Sequence, residues 1–122
     1  MNEHLPSLLA LGGFVVLAVL LFLRSGAKKK NLAQKLSQGA VILDVRTAGE
    51  FQAAHYPGAR NVPLQNLKSK ADKLAPKDKP IVIYCASGAR AGSAAGILRS
   101  AGYKDVTNAG GLSAMPRMEV EP

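Results

Sequence analysis

The chain is poor in reactive side chains. Cys85 is its only cysteine, His4 and His55 are its only histidines, and 8 acids face 16 lysines and arginines. A single thiol permits no intrachain disulfide and no thiol-only zinc site. The two histidines stand far apart in sequence, so nothing supports a metal site, and no cofactor is expected. The basic residues are not interleaved with aromatics and form no nucleic-acid-binding motif, so no nucleic-acid partner is expected. With 122 residues, the chain has room for one small domain and little more.

Part of that length is apolar without interruption. From Leu5 to Leu23 the sequence reads LPSLLALGGFVVLAVLLFL, uncharged, with Ser7 its only hydroxyl. As a helix this run would span roughly 28 Å, the hydrocarbon thickness of a bilayer. A buried core helix would show a polar face, and this run has none. One transmembrane anchor over residues 1–24 is therefore expected. Arg24 and Lys28 to Lys30 follow the run, while only Glu3 and His4 among ionisable side chains precede it. Basic flanks stay inside, which predicts a single-pass protein of the cell inner membrane with its domain facing the cytoplasm. The lysines also suit anionic headgroups. A cleaved signal peptide is the competing reading, with Ser25-Gly26-Ala27 as small residues, but its positive charge would precede the apolar core.

Residues 25–30 read as a basic linker, and 31–122 as the domain. Asn31 to Gln38 suits a short helix ended by Gly39. Ala40 to Val45 (AVILDV) and Ile81 to Tyr84 (IVIY) are buried-strand runs. Thr47 with Glu50 forms the sequence of a capping box for a helix over Ala48 to Ala54. Ala59 to Val62 reads as a short strand, and Pro63 opens a helix reaching Leu74. Ala89 to Ala101 reads as a helix ended by Gly102. Lys104 to Thr107 reads as a last strand, Gly110-Gly111 as a turn, and Leu112 to Met115 as a helical turn. Strands alternating with helices predict an α/β domain, with a mostly parallel central sheet flanked by helices. Asp44 and Cys85 fall at the carboxyl ends of strands, where such sheets bind ligands.

Cys85 is followed by Ala86, Ser87, Gly88 and Ala89, then Arg90. These small residues let the backbone fold tightly around the sulfur. Amides of the loop and of the following helix start would stabilise a thiolate. Arg90 would add a guanidinium fork for an oxyanion. A lone cysteine ending an apolar strand is otherwise a buried structural thiol, but such a thiol needs neither the glycine nor the arginine.

Four stretches in register then resemble one family. Asp44-Val45-Arg46 with Glu50-Phe51, His55 through Pro63, the Cys85–Arg90 loop, and Ala101-Gly102-Tyr103 with Val106 and Gly110-Gly111 are similar to the signatures of rhodanese (sulfurtransferase) domains. Two positions depart from the pattern. Ala91 stands where the family often has Ser, and Met115 where it often has Trp. The resemblance implies a rhodanese-like fold and a transfer of sulfane sulfur through a Cys85 persulfide. The implied donor is thiosulfate or a persulfide. The implied acceptor is cyanide or a thiol, whether a small thiol or a redox protein. Ala86, Ser87, Gly88, Ala89 and Arg90 would bind the substrate, and Arg90 favours an anionic donor. With no second cysteine, the acceptor must come from outside the chain.

The remaining candidates support the site. Arg46 and Glu50, four apart, are expected to pair. Asp44 is a candidate acceptor for loop amides. His55 is expected to hold the Pro57-Gly58 turn rather than act as a base. A non-catalytic rhodanese-fold module for binding or sensing at the membrane is the alternative function. A phosphatase or arsenate reductase is disfavoured, because the Cys-to-Arg spacing is one residue short for a phosphoryl group.

Overall fold

The computed structural model describes residues 5–117, with side chains described for 12–23 and 31–117. The chain divides into two units, Met1–Asn31 and Leu32–Pro122. Helix α1 (Leu5–Ser37) occupies the first and ends in the second. In the first unit Phe14, Val15, Leu21, Phe22 and Leu23 are exposed. Among the described residues no helix is long and apolar enough to cross a membrane. The anchor expected over residues 1–24 is thus not found among them. The side chains of 1–11 and 24–30, which carry part of the apolar run and all of its basic flank, lie outside the described residues. The segment expected as a linker, 25–30, is helical. The lone Gly26 costs about 1 kcal/mol relative to Ala, too little to end a helix continued by good helix formers.

The second unit is built on a four-stranded sheet in the order β2-β1-β3-β4, with every neighbouring pair parallel. Its strands are β1 (Val41–Asp44), β2 (Arg60–Asn61), β3 (Ile81–Cys85) and β4 (Val106–Gly111). Helices α2 (Ala48–Ala53), α3 (Leu64–Lys70) and α4 (Ala89–Ser100) lie between them, and a 3-10 turn, Ala71–Lys73, extends α3. Parallel sheets are covered on both faces, and the central β3 is buried at every position. Side chains alternate between the faces. Leu43, Val45, Ile83 and Cys85 pack with Leu67 of α3 and Leu98 of α4. Val82 and Tyr84 pack on the opposite side with Leu32, Tyr56 and Met115. Leu67 and Leu98 are fully buried, each contributing about 1.5–3 kcal/mol of transfer free energy.

α4 buries Ala91, Ala94, Ala95 and Leu98. These are positions i, i+3, i+4 and i+7 of one face, and three are small, so the helix can lie close to the sheet. From β1 the chain moves to β2 on one side and then to β3 on the other. The sheet therefore changes direction between β1 and β3, where a crevice opens beyond the strand ends. Cys85 ends β3 at that crevice.

One segment departs from the expected layout. Gly110 and Gly111 are the last residues of β4 rather than a turn, and the strand begins at Val106 rather than Lys104. Pairing decides this. Cys85 lies opposite Gly111 across the ladder, with an irregularity between Ile83 and Cys85. Turn composition in the local sequence is overridden by a partner strand distant in sequence.

Candidate active site

The chain leaves β3 at Cys85 and re-enters a helix at Ala89, so one short loop must reverse it. Gly88 makes this possible. It is the N-cap of α4, with φ of 101°, a region that disfavours a side chain. The turn brings the Gly88 amide to 2.9 Å from the Cys85 sulfur, to which it donates. The amides of Ala91, Ser87 and Arg90 add to its effect and favour the thiolate. Cys85 is fully buried, and burial alone pushes a thiol pKa up. The four amides outweigh that effect, so the net shift is downward. The first N–H groups of a helix have no partner within it, and here those of Arg90 and Ala91 favour negative charge on the sulfur. Ala91 takes part through its backbone, so the missing serine hydroxyl does not empty the position.

Two residues of β4 hold the loop from outside, Asn108, which the sequence did not point to, and a glycine that it offered only as part of a turn. The Asn108 side-chain amide donates to the Gly88 carbonyl at 3.1 Å, while its oxygen accepts from the Gly110 amide at 2.9 Å. Gly111 is the second. A Cβ on it would lie 2.3 Å from the Ala86 carbonyl oxygen and 3.1 Å from the Ala86 carbonyl carbon. Only a glycine lets the loop backbone come this close to β4. The glycine pair is a sequence signal for close backbone approach as well as for a turn.

Arg90 is half-buried and closes the loop. Its Nη1 donates to Glu50 Oε1 at 2.7 Å and its Nη2 to Oε2 at 3.0 Å. Glu50 is the third residue of α2 and completes the capping box with Thr47, accepting the Thr47 amide on Oε1 at 3.3 Å. Arg90 first, and the Thr47 amide second, hold the Glu50 carboxyl down to about 2. Beside Arg90, a cleft of about 320 Å³ is walled by Val45, Pro63 and Leu64, with Thr47 and Gln65 at its rim. Ala86, Ser87 and Ala89 are exposed around the loop.

The other candidates sit elsewhere. Arg46 does not pair with Glu50. Its Nη2 lies 2.7 Å from Asp44 Oδ2, and Nε contacts both carboxylate oxygens, at 3.0 and 3.1 Å. Arg46 precedes the cap of α2, so helical spacing does not apply to it, and residues two apart at a strand end share a face. Asp44 takes no loop amide. It points to the Tyr84 side of the sheet and accepts the Arg46 amide at 2.9 Å. Burial works to raise its pKa, but the hydrogen bonds from Arg46 and Tyr84 prevail and lower it. Burial is the main cause that pushes the Tyr84 hydroxyl up to about 12. That hydroxyl accepts the Tyr56 amide at 3.0 Å, so the strand carrying Cys85 is fixed from behind. His55 is exposed, with Nδ1 2.8 Å from the Phe51 carbonyl and its ring stacked on Phe51 at 3.8 Å. The structure thus gathers Cys85, Ser87, Gly88, Arg90 and Glu50, and sets Asp44, Arg46 and His55 apart.

A thiol ringed by amides, with a guanidinium beside it, suits nucleophilic attack on a small anionic electrophile. Comparison with known proteins supplies the context. The model of the rhodanese-like domain matches residues 28–115. The thiosulfate sulfurtransferase PspE of Escherichia coli (strain K12) is 39% identical over 80 residues, covering 63% of this chain and 77% of that protein. The protein YqhL of Bacillus subtilis (strain 168) is 41% identical over 69 residues, covering 57% of this chain. The match spans 54% of that relative's own length. Among solved structures, a rhodanese with anions from E. coli superposes with a TM-score of 0.59 at 37% identity, covering 64% of this chain and 95% of that one.

Proposed function

Since this chain belongs to the rhodanese-like domain family, we propose that it is a sulfurtransferase that takes sulfane sulfur from thiosulfate, or from a persulfide, and delivers it to cyanide or a thiol. The observation that carries this reading is the Gly88 amide donating to the buried Cys85 sulfur at 2.9 Å, in a loop whose Ala91, Ser87 and Arg90 amides act with it to lower the thiol pKa. In the first step the Cys85 thiolate attacks the outer sulfur of thiosulfate. The new S–S bond forms as the old one breaks, and sulfite leaves with the bonding pair. The persulfide left on Cys85 is an anion, held by the same amides, and needs no proton moved. In the second step an external nucleophile attacks the terminal sulfur and regenerates the thiolate. A cyanide acceptor leaves as thiocyanate, and a thiolate acceptor leaves as a persulfide. With one cysteine in the chain, no internal disulfide competes. The donor's anionic end lies toward Arg90, whose Nε–H has no acceptor among the described residues.

We further propose that Leu5 to Leu23 tethers the enzyme to the cell inner membrane, with Leu32–Pro122 on the cytoplasmic side. The uncharged run, its basic flank and the exposed Phe14, Val15 and Phe22 support this. The catalytic reading is tested by exposing the protein to thiosulfate and taking an intact mass. The expected result is a gain of about 32 Da, removed by cyanide and absent in Cys85→Ser. No gain in the wild-type chain would refute transfer and leave the binding-module reading.

A further inference from the structure

The arginine that should meet the donor is already engaged. Arg90 presents both terminal nitrogens to both oxygens of Glu50. A guanidinium bound end-on in this way keeps only its side edge, the Nε–H and an outer N–H, for a second anion. Its charge is also countered by a carboxylate of which 35% is exposed. The Cys85 thiolate and Arg46 are the other charges that act on Arg90. Glu50 is itself held in place by the capping box, through Thr47 N–H and Oγ1 at 3.3 and 3.1 Å. The first turn of α2 therefore dictates where the arginine of a loop 40 residues away points, and how much positive charge the incoming donor meets.

We propose that Glu50 is a positioning residue that sets the charge selectivity of the donor site. It fixes Arg90 side-on to the thiol and offsets its charge, so that a doubly charged donor gains little over a singly charged one. The inference rests on the sulfurtransferase reading above. It names a substrate preference: singly charged sulfane donors, such as thiosulfonates or small persulfides, compete effectively with thiosulfate at this site.

Glu50→Gln tests it, because glutamine serves the capping box as well as glutamate does while removing the charge. Two donors are compared. Thiosulfate is a dianion whose leaving group is sulfite; methanethiosulfonate is a monoanion whose leaving group is methanesulfinate. Losing one unit of negative charge near the anion is worth about threefold per donor charge at this exposure. In Glu50→Gln, kcat/KM should therefore rise about tenfold for thiosulfate and about threefold for methanethiosulfonate, through KM rather than kcat. A purely structural role would move both donors by the same factor. A wild-type chain that loads sulfur from neither donor overturns the transfer reading. A wild-type chain that loads, with equal shifts or a larger shift for methanethiosulfonate in the variant, overturns the role of Glu50 alone. Sulfate protection of Cys85 from iodoacetamide gives a readout without turnover. The protecting concentration should fall several-fold in Glu50→Gln, and an unchanged value refutes the proposal.

Discussion

Replacing Gly111 with alanine tests whether thiol acidity depends on how closely the loop approaches β4. The new Cβ would stand 2.3 Å from the Ala86 carbonyl oxygen and 3.6 Å from the Ser87 amide nitrogen. Both are backbone atoms, so no flexible side chain can yield. Relieving the contact takes a shift of about 1 Å, and overpacking of this kind costs about 1–3 kcal/mol. The loop moves away from β4, and the Gly88 amide, now 2.9 Å from Sγ, moves with it. A hydrogen bond to a charged acceptor is worth about 1.5–3 kcal/mol, so weakening this one moves the thiol pKa up, back toward the ordinary value. The assay is the rate of iodoacetamide labelling against pH, with urea unfolding alongside. In the wild type the lowered Cys85 pKa makes a stability contribution that is complete above the ordinary thiol value of 9.0 and is lost as pH falls through the lowered one. In Gly111→Ala the labelling midpoint moves up and that window narrows. Gly49→Ala is the control. It lies in α2 with nothing within 4 Å of its added Cβ, so it should leave labelling unchanged and stabilise by up to about 1 kcal/mol. A Gly111→Ala protein that labels like the wild type would refute the dependence of thiol acidity on the close approach of the loop to β4.

Asp44→Asn leaves the buried Arg46 without its counter-charge. Unfolding should show a loss of about 3–5 kcal/mol at pH 7, and a loss below about 1 kcal/mol would refute the burial argument. The sign with pH follows from the lowered Asp44 pKa. Its stabilisation is present above the ordinary value of 3.8 and disappears as pH falls through the lowered one, so the gap between wild type and variant closes in acid. A topology reporter fused after Pro122 should be active only when its type works in the cytoplasm. Activity of an outside-only reporter would overturn the proposed orientation.

What could be read in the sequence was local. The Thr47–Glu50 cap, the strand runs around Ile42 and Val82, and the stop at Gly39, whose φ is 84°, follow from neighbours a few residues apart. Face parity was also available. Asp44 alternates with Leu43 and Val45, so it had to point away from Cys85 once the strand was drawn. Arg46 does not pair with Glu50 because it precedes the Thr47 cap of α2, where helical spacing does not hold. The Glu50–Arg90 clamp, the Asn108 bridge and the Cys85–Gly111 pairing were out of reach. Each joins residues 20 or more apart, and nothing in a single chain's local pattern specifies such partners.

Those long-range contacts explain why a loop of small residues is acidic here. Ala86, Ser87 and Ala89 are exposed and contribute no packing of their own, so the loop cannot fix its own amides. Asn108 holds the Gly88 carbonyl, Gly111 lets the Ala86 carbonyl approach, and Glu50 pins Arg90. On the far face, Tyr84 and Asp44 lock the strand that ends in the cysteine. The amides are thus aimed before any donor arrives, and the cost of orienting them is met during folding rather than in the reaction. The six residues from Cys85 to Arg90 specify the chemistry only because β4, α2 and the buried network together specify the loop.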